Sequence, residues 1–427
     1  NQVFIVPINY PPNIDVQKSF SPGCTLSIPL SRGDISMGGF GTVTWVSKDE
    51  KYFLGFGHAM GRRGPCNIPA GTGYIYGVLR SRSRSTKLGV AIDPIGVVKQ
   101  DRGDAIAGVI GDVPEYIPVK VTTSGSGLEE RIIMRSEITP SWDEYPSVAT
   151  SVVIGSISQS LDDDTTGTLN VNTTVKMTID GKNEWFRRDD IYTGENTLAQ
   201  YSDDLKNLMM RIRETDLDLV SIDYIDVSAK HNPERMESRI EGMSILTIDE
   251  IKQRAEESKQ ENNDFLDVFD DLEMYQDPKI DEDDPEEYIL KNGSLYLAAV
   301  KLVNYRAPRE TVYVPFYLPP DFKNGKGRII VRSGSGEMPS SHTVGEKVNT
   351  YTKKWLNEHF GAVRKLDDGI TAYFDRIFES NRGNSLVFEI VHEKYDPAFY
   401  DETKLVRVEI MRANSVKGIW EHPLKIE

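Results

Sequence analysis

The stretch from Phe53 to Gly73, FLGFGHAMGRRGPCNIPAGTG, holds a histidine and a cysteine whose types and spacing could do chemistry. His58 follows a short apolar run, six glycines lie around it, and Cys66 stands eight positions on. Flanking glycines permit positive φ and leave an imidazole room to meet a partner from elsewhere in the chain. A general base needs such access, a group that orients its second nitrogen, and a nucleophile within hydrogen-bond reach. The pattern equally fits a buried imidazole in a glycine-rich turn, so it leaves both roles for His58 open.

Cysteine is a candidate for the nucleophile that such a base would activate. Cys24 and Cys66 are the only two in the chain, which excludes a disulfide-dense scaffold and a four-cysteine zinc site. Two arginines just before Cys66 could lower its pKa, but Cys–His catalysis depends on proximity in space. The alternatives are a Cys24–Cys66 disulfide and two small buried side chains. The next histidine after His58 is His231, so the sequence predicts no metal site and no cofactor.

The negative charge of the chain is concentrated in one segment. The 427 residues carry a net charge of −16, and Asp249 to Glu287 holds seventeen acidic and four basic residues, a net of −13. Such a tract buries too little apolar surface to offset its ordering entropy, so it predicts an acidic linker or exposed insert over 248–292. A calcium site is the alternative, although the EF-hand spacing is absent. The acidic balance argues against nucleic acid and favours a protein or peptide partner.

A short basic run has the opposite charge. Leu79 to Lys87, LRSRSRSTK, holds three arginines and one lysine. Without interleaved aromatic residues it is a poor platform for a single-stranded nucleic acid. The run predicts a solvated loop, with docking of the acidic 249–287 tract as the alternative.

Strand-like runs separated by glycine turns fill residues 20–120. Runs such as TLSIPL, GTVTWV and IGVVKQ are rich in β-branched residues and show no helical periodicity between them. This pattern predicts a barrel or sandwich over residues 1–122.

Residues 123–247 predict an α+β domain. Here IPVKVTTS and RIIMRSEIT form a hairpin pattern, and helical spacing covers Ser147–Leu161 and TLAQYSDDLKNLMMRIRE. Over 293–427 strand alternation returns in an order that suits a β-sandwich-like region, together with two helical stretches. The predicted fold class is mainly β with α+β parts.

Several motifs between residues 20 and 125 occur in a recognisable order: SRGDISMGGFGTVTWV, YFLGFGHAMGRRGPCNIPAGTGYI and IGVVKQDRGDAIAGVIGDVPEYIPVKV. Together they resemble the SpoIVB-type serine peptidase family, whose members carry a GTVT-like strand, an (F/L)GH segment with the catalytic histidine, and a glycine-containing strand. The resemblance is fainter to about residue 247 and is not carried further. It implies a bacterial hydrolase with a chymotrypsin-like β-barrel.

The resemblance also assigns roles to single residues. It places His58 at the catalytic histidine and makes Asp101 the best-placed acid to orient the imidazole. Asp101 could instead be a turn carboxylate paired with Arg102, and Asp104 is the fallback acid. Ala59 stands where family members often have proline.

The family's serine motif, a glycine-rich string like GMSGSP that forms an oxyanion hole, does not occur in this chain. The nearest imitations are TTSGSGLEE, with Ser124 and Ser126 in a predicted hairpin loop, and RSGSGEMPS, with Ser333 and Ser335 at a predicted sandwich edge.

Two function hypotheses follow from the missing serine. In one branch of the family the serine motif lies upstream, so this chain, which begins NQVFIVPINY, could be the downstream part of a processed precursor and could stay bound to the upstream fragment. Alternatively, it is a non-catalytic structural or binding protein built on an inert peptidase-like barrel. Both hypotheses place it outside the cytoplasm, in the periplasm or at the cell surface, and leave its oligomeric state open. No run of eighteen apolar residues occurs, so no membrane span is expected.

Overall fold

The structure is a computed structural model in which the chain divides into two compact units. The first comprises residues 1–188 and 195–233, and the second comprises 189–194 and 234–427. The described residues are 17–82, 85–112, 114–125, 127–140, 145–161, 165–213, 220–247, 285–334, 374, 378, 382–395 and 403–427. The acidic tract up to residue 284, Ser126, Ser335 and nearly all of the two predicted C-terminal helices lie outside them.

The mainly β class predicted from the sequence is confirmed. The strands of the largest sheet are β1 (Thr25–Gly33), β2 (Met37–Val46), β3 (Tyr52–Gly55), β4 (Gly64–Leu79), β5 (Thr86–Asp101), β6 (Ile106–Ile110), β7 (Ile117–Gly125), β8 (Ile132–Ile138), β9 (Gly167–Ile179), β10 (Lys182–Gly194) and β11 (Val220–Asn232). Two helices, α1 (Tyr145–Leu161) and α2 (Thr197–Arg213), belong to the same part of the chain.

The largest sheet has eleven strands in the order β10-β9-β11-β7-β8-β1-β2-β3-β6-β5-β4, and β1 also pairs with β4. The predicted chymotrypsin-like barrel is not confirmed as a separate closed module. The reason lies in β1, which pairs with β2 and β4 near Leu26 and Ser27 but with β8 from Ser31 to Gly33. Because β1 is shared in this way, the sheet continues through β8 and β7 to β10, across the predicted boundary after residue 122.

The two helices of the first unit confirm the helical patterns in the sequence. The predicted face of α2, namely Leu198, Tyr201, Leu205, Leu208 and Met209, is buried. Helix α1 is buried on most sides although it contains serine and threonine. Three of these hydroxyls donate to the carbonyl four residues earlier, as Ser156 does to Val152 at 2.8 Å, which satisfies them inside an apolar environment.

The second unit holds two further sheets. One has the order β15-β14-β12-β19 and the other β13-β20-β16-β17-β18. Their strands are β12 (Glu237–Thr247), β13 (Tyr288–Leu290), β14 (Ser294–Asn304), β15 (Glu310–Leu318), β16 (Gly325–Ser333), β17 (Ser385–His392), β18 (Leu405–Met411), β19 (Ser415–Lys417) and β20 (Ile419–Ile426). One apolar core contains residues of both sheets, and the rings of Phe316 and Phe388 meet there at 4.6 Å.

The other face of the five-stranded sheet carries a buried charge cluster. Glu389 on β17 accepts hydrogen bonds from Arg332 at 3.1 Å and 3.2 Å and from Arg407 at 3.1 Å. All three side chains are buried. Buried charges are tolerated when they are paired and hydrogen-bonded, so we interpret the cluster as a structural ion-pair network.

A search of the described residues for a helix that is long and apolar enough to cross a membrane finds none.

Candidate functional site

His58 lies in a tight turn, residues 56–63, that joins β3 to β4. Phe56 and Gly57 adopt φ of 70° and 71°. A positive φ is strained for a phenylalanine, and the surroundings must fix it. They do so in two ways: the Phe56 N–H donates to the Thr42 carbonyl at 3.0 Å, and the Phe56 ring packs where a Cβ at Gly41 would stand. The turn that presents His58 is therefore held by β2.

The imidazole of His58 is exposed and oriented by its own neighbour. Its Nδ1 lies 2.7 Å from the carbonyl oxygen of Ala59. A carbonyl can only accept, so in this geometry Nδ1 carries a proton, and in the neutral ring Nε2 then carries the lone pair. Among the described residues Nε2 has no hydrogen-bond partner. An exposed imidazole with one oriented nitrogen meets two requirements of a general base, and a nucleophile within hydrogen-bond reach is the third.

Asp101 ends β5 at the same turn, but its carboxylate serves the backbone. It accepts the N–H of Met60 at 2.8 Å, of Gly61 at 2.7 Å and of Arg63 at 3.4 Å, and the side chain is buried. The structure thus brings His58 and Asp101 to one turn without joining them, since in the described residues neither is hydrogen-bonded to the other. The catalytic roles assigned to both stay predictions.

The alternative role of Asp101 as a turn carboxylate agrees with these backbone bonds, but its predicted pairing with Arg102 is not present. Arg102 donates to the side chain of Gln100 at 2.8 Å, and among the described residues no ion pair joins it to Asp101. Asp104 is exposed in the turn between β5 and β6. The group that orients the imidazole is instead the Ala59 carbonyl, which no side-chain pattern in a sequence can signal.

Cys66 has the properties of a packed thiol. Its Sγ–H points at the Val98 carbonyl at 3.6 Å. Burial, together with the negative charge of Asp101, raises the pKa of Cys66 to about 11 and outweighs the opposing effect of Arg63 and the other nearby cations. The thiolate is the nucleophile, so this shift works against catalysis by Cys66. Cys24 and Cys66 are both unpaired in the structure.

The candidate serines that the structure describes do not lie in loops. Ser124 belongs to β7, where it is paired in register with Lys230 of β11. In the sheet order, β8, β1 and β2 separate β7 from the strand that precedes His58. Ser333 is buried at the end of β16, in the second unit. The predicted hairpin of β7 and β8 is confirmed, and its last pair is Thr123 opposite Ile132. Ser124 lies just beyond that pair, where β11 extends the pairing of β7 to Gly125, so Ser124 is part of a strand.

Metal binding is not suggested by the described residues, in which no three His, Cys, Asp or Glu side chains are grouped to hold an ion. Comparisons of the chain with protein-family models, with curated proteins and with solved structures find no match.

Proposed function

We propose that this chain is the peptidase-related part of a SpoIVB-type protein that carries the catalytic base but not the serine. The observation that carries the proposal is the His58 imidazole, whose Nδ1–H is directed to the Ala59 carbonyl while Nε2 is accessible. A second support is the strand pairing: β1 meets both β2 and β4, so the series β1-β2-β3-β6-β5-β4 returns to β1 as the family's barrel would.

The chemistry would be acyl transfer by a serine from a segment outside the described residues. Its hydroxyl would donate to Nε2 of His58, and the imidazolium formed on proton transfer would keep its Nδ1–H bond to the Ala59 carbonyl. A carbonyl is a neutral dipole and stabilises an imidazolium less than a carboxylate does. We therefore place the base activity below that of a full triad.

The proposal is tested with a fluorophosphonate probe, which labels only activated serines. The chain alone should resist labelling, whereas a longer protein that adds an upstream GMSGSP-like segment should be labelled at that serine. Labelling of the longer protein should disappear in His58→Ala and persist in His422→Ala, a matched loss of one histidine from the second unit. Stoichiometric labelling of the chain alone at Ser124 or Ser333 would overturn the proposal.

A second candidate is a non-catalytic structural or binding protein, outside the cytoplasm, built on the same β-rich unit. One observation favours it: the three N–H groups that donate to Asp101 all belong to the backbone, so the buried acid of the turn holds the loop. If the longer protein with the added serine stays unlabelled although it is folded, this candidate replaces the first.

A further inference from the structure

The outer half of the hairpin formed by β4 and β5 stands apart from the rest of the large sheet. The two strands pair from Gly64 opposite Asp101 to Leu79 opposite Thr86. Strand β1 meets β4 only at Gly71 and Thr72, and β6 meets β5 only from Gly96 onward. Residues 73–79 and 86–90, here called the outer ribbon, form strand pairs only within this hairpin among the described residues. A lone two-stranded ribbon is marginally stable in water, so a further contact would stabilise it.

The outer ribbon exposes large apolar side chains. Exposure alternates along β4, with Tyr74, Tyr76 and Val78 exposed and Ile75 half-buried between them. A register shift between Ile75 and Gly77 interrupts the alternation, so Tyr74 and Leu79 lie on one face of the ribbon and Val78 lies on the other. Val78 and Leu79 are 52% and 58% exposed. Exposed apolar side chains on both faces at the end of the ribbon form an apolar patch, which is typical of an interaction surface.

The charge beside this patch is positive, whereas the net charge of the whole chain is negative. From Lys51 to Ile92 the sequence holds seven lysines and arginines and no aspartate or glutamate, whereas the whole chain has a net charge of −16. Three of these cations, Arg80, Arg82 and Lys87, are exposed next to Leu79. Screening limits electrostatic attraction to about 8 Å at physiological ionic strength, so the local charge decides what this surface attracts. These exposed cations favour a polyanionic partner.

We propose that the outer ribbon docks on the surface of an anionic lipid bilayer. The aliphatic side chains favour this partner, since Val78 and Leu79 would be buried at the acyl boundary, while the arginines extend to the phosphates. Tyrosine is enriched at this depth of a bilayer because it has an apolar ring and a polar hydroxyl. Backbone groups at the edges of the ribbon can stay hydrated at this depth, as they would not in the hydrocarbon core. A single-stranded nucleic acid would use the tyrosines and cations but would leave both aliphatic residues in water.

The test is flotation of the whole chain with phosphatidylcholine vesicles, with and without about a third phosphatidylglycerol. The chain should bind the anionic vesicles, not the neutral ones, and binding should weaken as salt rises. Arg80→Ser/Arg82→Ser should weaken binding roughly 25-fold, at about fivefold for each cation removed. Lys206→Ser/Lys230→Ser removes the same charge from exposed positions on α2 and β11 and should bind as the unmodified chain does.

The apolar contribution is tested separately, at constant charge. Val78→Ser/Leu79→Ser should weaken vesicle binding about tenfold or more. Ile289→Ser/Ile419→Ser, which alters two equally exposed aliphatic residues of the second unit, should leave it unchanged. Equal effects of the paired variants would reject the outer ribbon as the docking surface. Failure of the chain to bind anionic vesicles would reject the proposal. The proposal would also be rejected if the chain bound an oligonucleotide or polyglutamate and did not bind the vesicles.

Discussion

The carboxylate of Asp101 accepts the backbone N–H of Gly61 at 2.7 Å, across forty positions of sequence. This bond, with those to Met60 and Arg63, fixes the turn that presents His58. The acid that the family resemblance selects to orient the imidazole therefore acts on the loop. In this geometry Asp101 positions His58 through the backbone of residues 60 to 63.

Asp101→Asn should destabilise the first unit by about 2 to 3 kcal/mol, because a neutral amide loses charge-assisted bonds and turns an N–H₂ group toward buried N–H donors. The free energy of unfolding in urea measures this change. The matched control is Asp104→Asn in the adjoining turn, where the side chain is exposed and the change should be within about 0.5 kcal/mol. Equal effects at the two positions would show that the backbone bonds of Asp101 contribute little.

Gly41→Ala should destabilise the protein by about 1 to 3 kcal/mol, because its Cβ would overlap the Phe56 ring. It should also shift the NMR signals of His58, whose ring lies 5.6 Å from that of Phe56. Gly39→Ala on the same strand is the control, since its Cβ would meet nothing within 4 Å. If the His58 signals stay in place in Gly41→Ala, Phe56 does not hold the turn as described.

Stability should fall as pH rises from about 9 to about 11. The pKa of Cys66 is raised by burial to about 11 from an ordinary value of 9.0, so in this window the unfolded chain releases a proton that the folded chain retains. Below pH 9 both states hold the proton and the effect vanishes. Unfolding midpoints measured across this range should fall less steeply in Cys66→Ala. Parallel slopes for the two proteins would contradict the burial of this thiol.

Glu389→Gln should lower the free energy of unfolding of the second unit by about 3 kcal/mol, because it leaves Arg332 and Arg407 buried without their shared carboxylate. Glu421→Gln breaks an exposed pair with Arg328 and should change it by less than about 1 kcal/mol. Thermal or urea unfolding of the two variants measures these changes in the free energy of unfolding. A neutral result at Glu389 would mean that the arginines find other acceptors.

The sequence predicts the elements that depend on local spacing. The buried face of α2 and the hairpin of β7 and β8 follow from periods of 3.6 and 2, which are properties of short segments. The site depends on distant segments. The backbone bonds of Asp101 arise because β5 ends beside a turn about forty residues earlier, and the raised pKa of Cys66 arises because burial outweighs its arginine neighbours. Residue types along the chain predict neither the closeness of β5 to this turn nor the burial of the Cys66 thiol.

The parallel pairing of β7 with β11 has a consequence for how the first unit folds. Val119 is in register with Ile225, so more than a hundred residues must leave the ribosome before this pair can form. Contacts of such long range slow folding, because the loop entropy is lost before the contact stabilises the chain. During synthesis β7 has an open edge that other strands could occupy. Nascent chains that end before residue 220 should therefore be the ones that engage chaperones or aggregate.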